Sequence, residues 1–179
     1  MSKLKELTWE NHQKAERTNH ARKLLKGMTP EEYHRYLFNQ YVMYSALETR
    51  ASQLGVLDGI ENIQRAEAIR EDLQELETEH NIKRDPDLLC DVVGDYVPYV
   101  MNLENTDDLL AHIYVRHFGD MYGGQMIKKR NPGSGKMYEF VDVDDLKTTV
   151  RAMLNDDMAD EANRCFEFAM QLFEELEDE

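Results

Sequence analysis

The sequence predicts an all-α protein, and three observations support that fold class. Apolar residues recur at the three- and four-residue spacing of a helix through nearly all of the 179 residues. Residues typical of helix ends separate these periodic segments. No convincing series of strands is present. At this length we expect a single-domain helical bundle spanning residues 1–179, large enough to bury a hydrophobic core.

The first predicted helix occupies the amino-terminal segment and is expected to end at Gly27, since glycine commonly closes a helix. Its apolar side runs from Leu4 to Leu25. The sequence Thr-Pro-Glu-Glu that begins at Thr29 then has the form of a capping box, with proline at the first helical position. It predicts a second helix that extends to about Gly55.

The rest of the chain is predicted as helices joined by short breaks. A highly charged third helix precedes a shorter fourth, which Pro98 is expected to end, and a fifth that contains three glycines. Residues 131–142, NPGSGKMYEFVD, hold a proline and two glycines and predict a loop. These helices are predicted over about 60–80, 85–98, 106–130, 143–155 and 158–177.

The charge of the chain is strongly acidic but unevenly placed. With 21 basic and 36 acidic residues, the net charge is −15. This argues against a protein that binds nucleic acid, which needs a basic surface. Residues 1–26 nevertheless hold seven basic and three acidic residues, a local charge of +4. Such a segment is usually a solvated helix face, but it could also receive an anion.

The cysteines and the apolar runs indicate the compartment. Cys90 and Cys165 lie far apart and in no metal-binding spacing, so we expect reduced thiols and a cytoplasmic protein. The amino terminus, MSKLKELTWENHQ, lacks the apolar region of a signal peptide. No run approaches the ~18 apolar residues of a membrane helix. We therefore expect a soluble chain without a membrane anchor.

One stretch combines helical flanks with three glycines in six positions: HIYVRHFGDMYGGQMIKK, residues 112–129. One interpretation is that the helix ends at Gly123. The other follows from the turn of about 100° per helical residue, which places Gly119 and Gly123 roughly 40° apart on one face. A bare strip of backbone there would admit a flat ligand, and Asp120 beside it could organise water. Because QMIKKR resumes a helical pattern, both interpretations stay open.

The histidines offer two candidate ligands and one competing metal site. His12 lies on the flank of the apolar side of the first helix, and His112 precedes Gly119 by seven residues, although a lone helical histidine is more often structural. Two Glu-x-x-His motifs, ending at His34 and His80, match the pattern of a di-iron carboxylate bundle. Both lie near helix ends, whereas bundle metals are held from helix middles, so the di-iron alternative is the weaker one.

Two of these stretches, WENHQKAE and IYVRHFGDMYGGQMIKK, resemble the proximal-histidine and distal-helix motifs of haem oxygenases, in the family's order. The tail CFEFAMQLFEELED resembles the family's final helix, and the loop at 131–142 is the weakest part of the resemblance. The resemblance implies the family's helical fold, with haem between the first helix and a kinked distal helix. It also implies oxidative opening of haem to biliverdin, of the α isomer, with release of carbon monoxide and ferrous iron. Haem would be both cofactor and substrate, and an external donor such as ferredoxin or another reductase would supply electrons.

The same resemblance implies roles for individual residues. His12, in preference to His112, would be the axial iron ligand, with Glu16 fixing its imidazole. Gly119 and Gly123 would form the kink over the haem. The other positions that match the family are the distal-water residue Asp120, Arg116 and Tyr114 supporting that water or the haem edge, the propionate-facing Lys5, Lys147 and Arg151, and the distal walls Phe166 and Phe173.

Three positions depart from the family pattern. Tyr122 stands inside the glycine motif where a small residue is common, Trp9 where some members have a propionate-binding lysine, and Ala169 where some have a polar distal residue.

A second functional class also fits the sequence, namely a helical haem-binding or carrier protein without turnover. We expect a monomer, and the basic first helix could steer an acidic electron donor.

Overall fold

The structure is a computed structural model that describes residues 2–177. Within this range it contains helices and turns and no strands. The all-α prediction is therefore confirmed for that range. Met1, Asp178 and Glu179, which belong to the predicted domain, lie outside the described residues. The helices are α1 Leu4–Leu7, α2 Trp9–Glu16, α3 Asn19–Lys26, α4 Pro30–Gln53, α5 Ala66–His80, α6 Asp91–Met101, α7 Thr106–Ile113, α8 Gly119–Arg130, α9 Val143–Met153 and α10 Ala159–Glu177.

The prediction of one continuous first helix is wrong, because that segment forms α1, α2 and α3. The backbone leaves the helical path before α3, where Thr18 caps the new helix by accepting a hydrogen bond from the Ala21 amide at 3.2 Å. The predicted end at Gly27 is confirmed, with a φ of 111°. A side chain there would also place its Cβ 2.5 Å from the carbonyl oxygen of Arg130, so glycine lets α3 end against α8.

Asn131 joins the ends of these two helices. Its amide nitrogen donates to the carbonyls of Leu24 and Ile127, both at 2.8 Å, and its amide oxygen accepts from the Met28 backbone at 3.0 Å. The side chain is buried, so the three hydrogen bonds are made away from water. The carboxyl ends of α3 and α8 are thus fixed to each other.

The central helix is α4, which packs on α5 and α6 and contributes to both apolar clusters of the core. Its predicted capping box is present. The Thr29 hydroxyl accepts from the Glu32 amide at 3.2 Å, and the Glu32 carboxylate accepts from the Thr29 amide at 3.1 Å. The helix ends at Gln53, close to the predicted limit.

Two helices have ends that differ from the prediction. The third helix, α5, begins at Ala66 and not near Ile60, because the Glu48 carboxylate accepts the amides of Arg65 and Ala66 at 2.6 and 3.0 Å. The fourth, α6, opens at Asp91 and continues past Pro98 to Met101. A proline costs the hydrogen bond to the residue four positions earlier and crowds its carbonyl. That residue is Gly94, which has open space around it.

The predicted fifth helix is divided by a π-helical turn, Tyr114–Phe118, between α7 and α8. Helix α8 then continues through all three glycines to Arg130, so the interpretation of Gly123 as a helix end is wrong. The loop prediction for residues 131–142 holds apart from one 3₁₀ turn, Lys136–Tyr138. The last helix, α10, packs against α2, α3, α6 and α7. Within residues 2–177, no helix combines the length and apolar character that crossing a membrane requires.

Candidate functional site

The glycines of α8 fall into two structurally different groups. Gly119 and Gly123 are exposed, and a Cβ added to either would have no neighbour within 4 Å. Gly124 is buried, and its Cβ would lie 2.2 Å from the ring of Tyr138. Gly124 therefore allows close packing inside the protein. Gly119 and Gly123 instead leave a strip of backbone open to the outside of α8.

The π-helical turn before this strip sets which side chains face inward. Single π turns inside helices occur frequently at functional sites, and the extra residue shifts the phase of everything that follows. Here Arg116, His117 and Phe118 are buried, while Gly119 is exposed. A count of 100° per residue across the π-helical turn therefore does not show which residues before and after it share a face.

His112 illustrates that error, because the structure does not place it at the glycine strip. It is fully buried, with Nδ1 2.9 Å from the Tyr96 hydroxyl and Nε2 3.0 Å from the Glu161 carboxylate. Both ring nitrogens are thereby engaged. His112 is a structural histidine in this chain.

His12 has the accessibility that a ligand needs. Its side chain is 38% exposed, and its Nε2 lies 2.7 Å from the Glu16 carboxylate one turn later. The indole of Trp9 stacks on its ring at 5.3 Å, and Phe166 meets it edge-on at 5.9 Å. The contact between His12 and Glu16 matches the predicted arrangement, while iron ligation itself stays a prediction.

Asp120 stands beside the strip and turns its carboxylate into the protein, where Tyr44 of α4 donates a hydrogen bond to it. Loss of solvent raises the pKa of Asp120 to about 6, although the hydrogen bond from Tyr44 and the electrostatic influence of His117 and Arg116 oppose the shift. The carboxyl group can therefore exchange a proton near neutral pH. Sequence reasoning missed Tyr44, since a tyrosine inside an amphipathic helix carries no signal of this contact.

Arg116 lies behind Asp120 in the core and not at an exposed ligand edge. It donates to the Tyr96 hydroxyl at 3.1 Å and to the Gln40 side chain at 3.2 Å. Its guanidinium also lies 4.5 Å from the centre of the Tyr96 ring. Its predicted role as a support of the distal water or of the haem edge stays a prediction. Tyr96 and Gln40 were not identified from the sequence.

Tyr114 connects the π turn to the first helices. It is half-buried, its ring packs 5.8 Å from that of Phe118, and burial raises the pKa of its hydroxyl, which bonds to Thr8. Lys5, at the other end of α1, lies 5.9 Å above the Trp9 ring.

The other two predicted propionate contacts, Lys147 and Arg151, meet at one side chain of α8. Lys147 Nζ lies 4.0 Å from the centre of the Tyr122 ring, and Arg151 donates a hydrogen bond to the Tyr122 hydroxyl. The two cations thus lie next to the glycine strip. The predicted set of cations is divided between this edge and Lys5.

The two predicted aromatic walls occupy different places. Phe166 is buried beside His12, and Phe173 stacks on His20 at 4.8 Å. Their role as distal walls stays a prediction. Ala169 of the same helix is half-buried.

The two Glu-x-x-His motifs meet only through His34 of the first and Glu77 of the second, while Glu31 and His80 are exposed. His34 pairs with Glu77 at 2.9 Å, and Arg84 binds both oxygens of that carboxylate at 2.9 Å. His80 is exposed at the end of α5. In the part of the chain that the structure describes, no three His, Cys, Asp or Glu side chains are grouped as metal ligands.

Comparisons with known proteins agree on one family. The family model for heme oxygenase matches residues 1–175. Heme oxygenase 1 of Synechocystis is 32% identical, over 98% of this chain and 84% of its own, and the heme oxygenase of Rhodella violacea is 29% identical, over 97% and 85%. Among solved structures, heme oxygenase from Leptospira interrogans superposes with a TM-score of 0.80 at 26% identity, covering 95% of this chain and 96% of its own. The Synechocystis heme oxygenase-1 complex with heme gives 0.78 at 25% identity, covering 98% and 90%.

Proposed function

Since the chain belongs to the haem oxygenase family, we propose that it binds haem as cofactor and substrate and opens the ring to biliverdin. The reaction would release carbon monoxide and ferrous iron and give the α isomer. Two solved relatives carry haem, the Synechocystis heme oxygenase-1 and heme oxygenase-2 complexes. Bound haem supplies the iron at which dioxygen reacts and the carbon that is oxidised.

The observation that carries this proposal is the exposed, side-chain-free strip at Gly119 and Gly123. A flat macrocycle needs backbone that no side chain covers, and here an added Cβ would point into open space at both positions. A helix gains roughly 1 kcal/mol from alanine in place of glycine. Two exposed glycines in one helical turn are therefore unfavourable for the helix alone and consistent with a ligand surface.

The residues predicted to bind haem fit it chemically. His12 offers an accessible imidazole, and Glu16 holds one ring nitrogen, which orients the ring and leaves the other nitrogen for iron. Lys147 and Arg151 provide positive charge for the two carboxylates of haem. A neutral histidine ligand donates less electron density than a thiolate would.

Asp120 would hold and transfer protons on the open side of the haem. With a pKa of about 6, its carboxyl is partly protonated near neutral pH and can bind water by accepting or donating. Tyr44 fixes the carboxyl from inside the protein, so its second oxygen can face the strip. The absence of side chains at 119 and 123 keeps space for that water.

The electron donor that fits the surface is a small acidic protein such as a ferredoxin. Lys3, Lys5 and Lys14 are exposed on the basic amino-terminal segment of an otherwise acidic chain. Trp9, stacked on His12, is also 43% exposed on this segment. Complementary charge would bring the donor to the side of the molecule that carries the predicted iron ligand.

A single preparation tests the proposal. Purified protein is titrated with haem and the Soret band is recorded, after which ascorbate, or ferredoxin with its reductase, is added in air. We expect a Soret band that disappears as biliverdin and carbon monoxide form. A Soret band that persists under reduction would indicate a haem carrier, and the absence of any band would refute haem binding. The single domain, the monomeric state and the cytoplasmic location stay predictions.

A further inference from the structure

Tyr122 makes an unusual set of contacts for an exposed aromatic residue. It lies on α8 between Gly119 and Gly123, and 54% of it is exposed. Lys147 Nζ lies 4.0 Å from its ring centre, and Arg151 donates to its hydroxyl. The Phe118 ring packs edge-on against it at 5.9 Å, which fixes its orientation.

The two cations of α9 have no carboxylate partner among residues 2–177, although the chain carries 36 acidic side chains. Asp144 and Asp145 on the same helix do not pair with them within 4.0 Å. Lys147 and Arg151 instead meet the π face and the oxygen of one neutral side chain. The site therefore contains two cations held in place but not neutralised.

We propose that Tyr122 determines specificity for tetrapyrroles that carry free carboxylates, a proposal that rests on the proposed function. In the haem-free protein it holds Lys147 and Arg151 at the edge of the strip. A carboxylate then bonds to the remaining N–H groups of the two cations while the tyrosine keeps them in place. Charge-assisted bonds from a guanidinium or ammonium group to a carboxylate are roughly twice as strong as neutral ones, so an acidic ligand gains from two cations that are already positioned.

A ligand without carboxylates has no such gain. It makes no bond to the two cations, so its affinity does not depend on how they are held. Without Tyr122, an acidic ligand must itself order the long side chains of Lys147 and Arg151, at a cost of roughly tenfold in affinity. Tyr122 consequently favours acidic macrocycles and leaves the affinity for neutral ones unchanged.

Metal-free porphyrins isolate this effect from iron ligation by His12. We would titrate the wild-type protein, Tyr122→Ser and Tyr122→Phe with protoporphyrin IX and with its dimethyl ester, following porphyrin fluorescence. The ratio of affinities, diacid over diester, is expected to fall about tenfold in Tyr122→Ser, because the diacid then has to order both cations. Tyr122→Phe, which keeps the ring above Lys147 and loses the bond from Arg151, should give an intermediate ratio.

Met126→Ser is the matched control, since Met126 lies one turn later on α8, is 50% exposed and has no cation contact in the described structure. Its ratio should equal that of the wild type. An unchanged ratio in Tyr122→Ser, with circular dichroism showing a folded protein, would overturn the inference. Porphyrin binding with the expected ratios but no ring opening of haem would refute the proposed function alone. If the wild type binds no porphyrin, both fail.

Discussion

The hydroxyl of Tyr44 on α4 donates a hydrogen bond to the carboxylate of Asp120 on α8, joining the central helix to the helix with the bare glycine strip. The Tyr44 ring also packs edge-on against the His117 ring, with 4.9 Å between the ring centres, and this contact helps to fix the orientation of Tyr44. His117 in turn pairs with Glu48 at 2.9 Å. The direction in which Asp120 presents its carboxyl is thus set by the core.

Replacing Asp120 with asparagine should stabilise the haem-free protein at pH 7. The pKa of Asp120 is about 6 when folded and 3.8 unfolded, so the folded chain binds more protons between these values, and stability falls as pH rises through 6. At about 1.36 kcal/mol per unit, the ionised group costs about 3 kcal/mol at pH 7. Urea unfolding should therefore show a gain on the order of 2 kcal/mol for Asp120→Asn at pH 7 and little at pH 4. An equal gain at both pH values would contradict the assigned pKa.

Replacing His20 with phenylalanine should flatten the loss of stability in acid. His20 is buried between Tyr36 and Phe173, its Nε2 has no hydrogen-bond partner, and burial, with Lys23, lowers its pKa to about 4. The unfolded chain then binds more protons between pH 4 and 6.5, so acidification through that window removes about 3 kcal/mol of stability. Unfolding curves at pH 7, 5.5 and 4 measure this, with His80→Phe, at an exposed histidine, as the control. Parallel pH curves for wild type and His20→Phe would rule out the effect.

Replacing His12 with alanine should abolish ring opening and weaken ferric haem binding. The loss should exceed the roughly 10–100-fold that removing a supporting partner costs, which is the range expected for Glu16→Gln. Soret titrations measure both, and added imidazole should restore part of the haem spectrum of His12→Ala. The control is His80→Ala. Unaltered binding in His12→Ala would remove the basis for iron ligation at this position. His112 could not take over the role, because its side chain is fully buried in the core.

The three glycines of α8 should respond in opposite directions to alanine. Gly119→Ala and Gly123→Ala add a Cβ in open space and should stabilise the haem-free helix by about 0.5–1 kcal/mol each. They should also weaken haem binding about tenfold, because the methyl group holds the macrocycle off the backbone. Gly124→Ala should instead destabilise the fold by about 1–3 kcal/mol through its clash with Tyr138. Thermal unfolding and Soret titration separate the two effects, and identical behaviour of all three variants would show that no ligand strip exists.

Reversing charges on the amino-terminal segment should slow donor-dependent turnover. Lys3, Lys5 and Lys14 replaced together by glutamate should lower the rate with ferredoxin about tenfold at low salt and flatten its salt dependence. The rate with ascorbate should be unaffected by salt. The same charge change at residues 128–130, a second basic cluster on α8, is the control. Equal slowing by both variants would show general charge repulsion and no defined docking surface.

The parts of the fold that were predicted depend on contacts within one helical turn. The capping box of Thr29 and Glu32 is formed by residues three positions apart, so the local sequence predicts the start of the helix. The start of α5 depends on the Glu48 carboxylate of another helix, which no local pattern reveals. The break at Thr18 was missed because an apolar stripe can continue across a capped interruption.

The candidate site divides in the same way. His12, Glu16 and the glycines lie in short motifs; the structure shows the contact between His12 and Glu16 and the open space at Gly119 and Gly123, and their roles stay predictions. Tyr44 was missed because its contact with Asp120 crosses 76 positions of sequence. The π turn also changed the phase of α8, which is why a simple helical count put His112 near the strip.

The amide of Asn131 has a mechanical consequence for α8. Because that side chain ties the last turns of α3 and α8 together, we expect a tilt of α8 to move its amino-terminal end, at Gly119, more than its tied end. At about 1.5 Å per residue, α8 is a lever roughly 17 Å long, so a tilt of about 3° displaces Gly119 by about 1 Å. We therefore expect a substitution of Asn131 to alter the position of Gly119, although the two residues lie at opposite ends of α8.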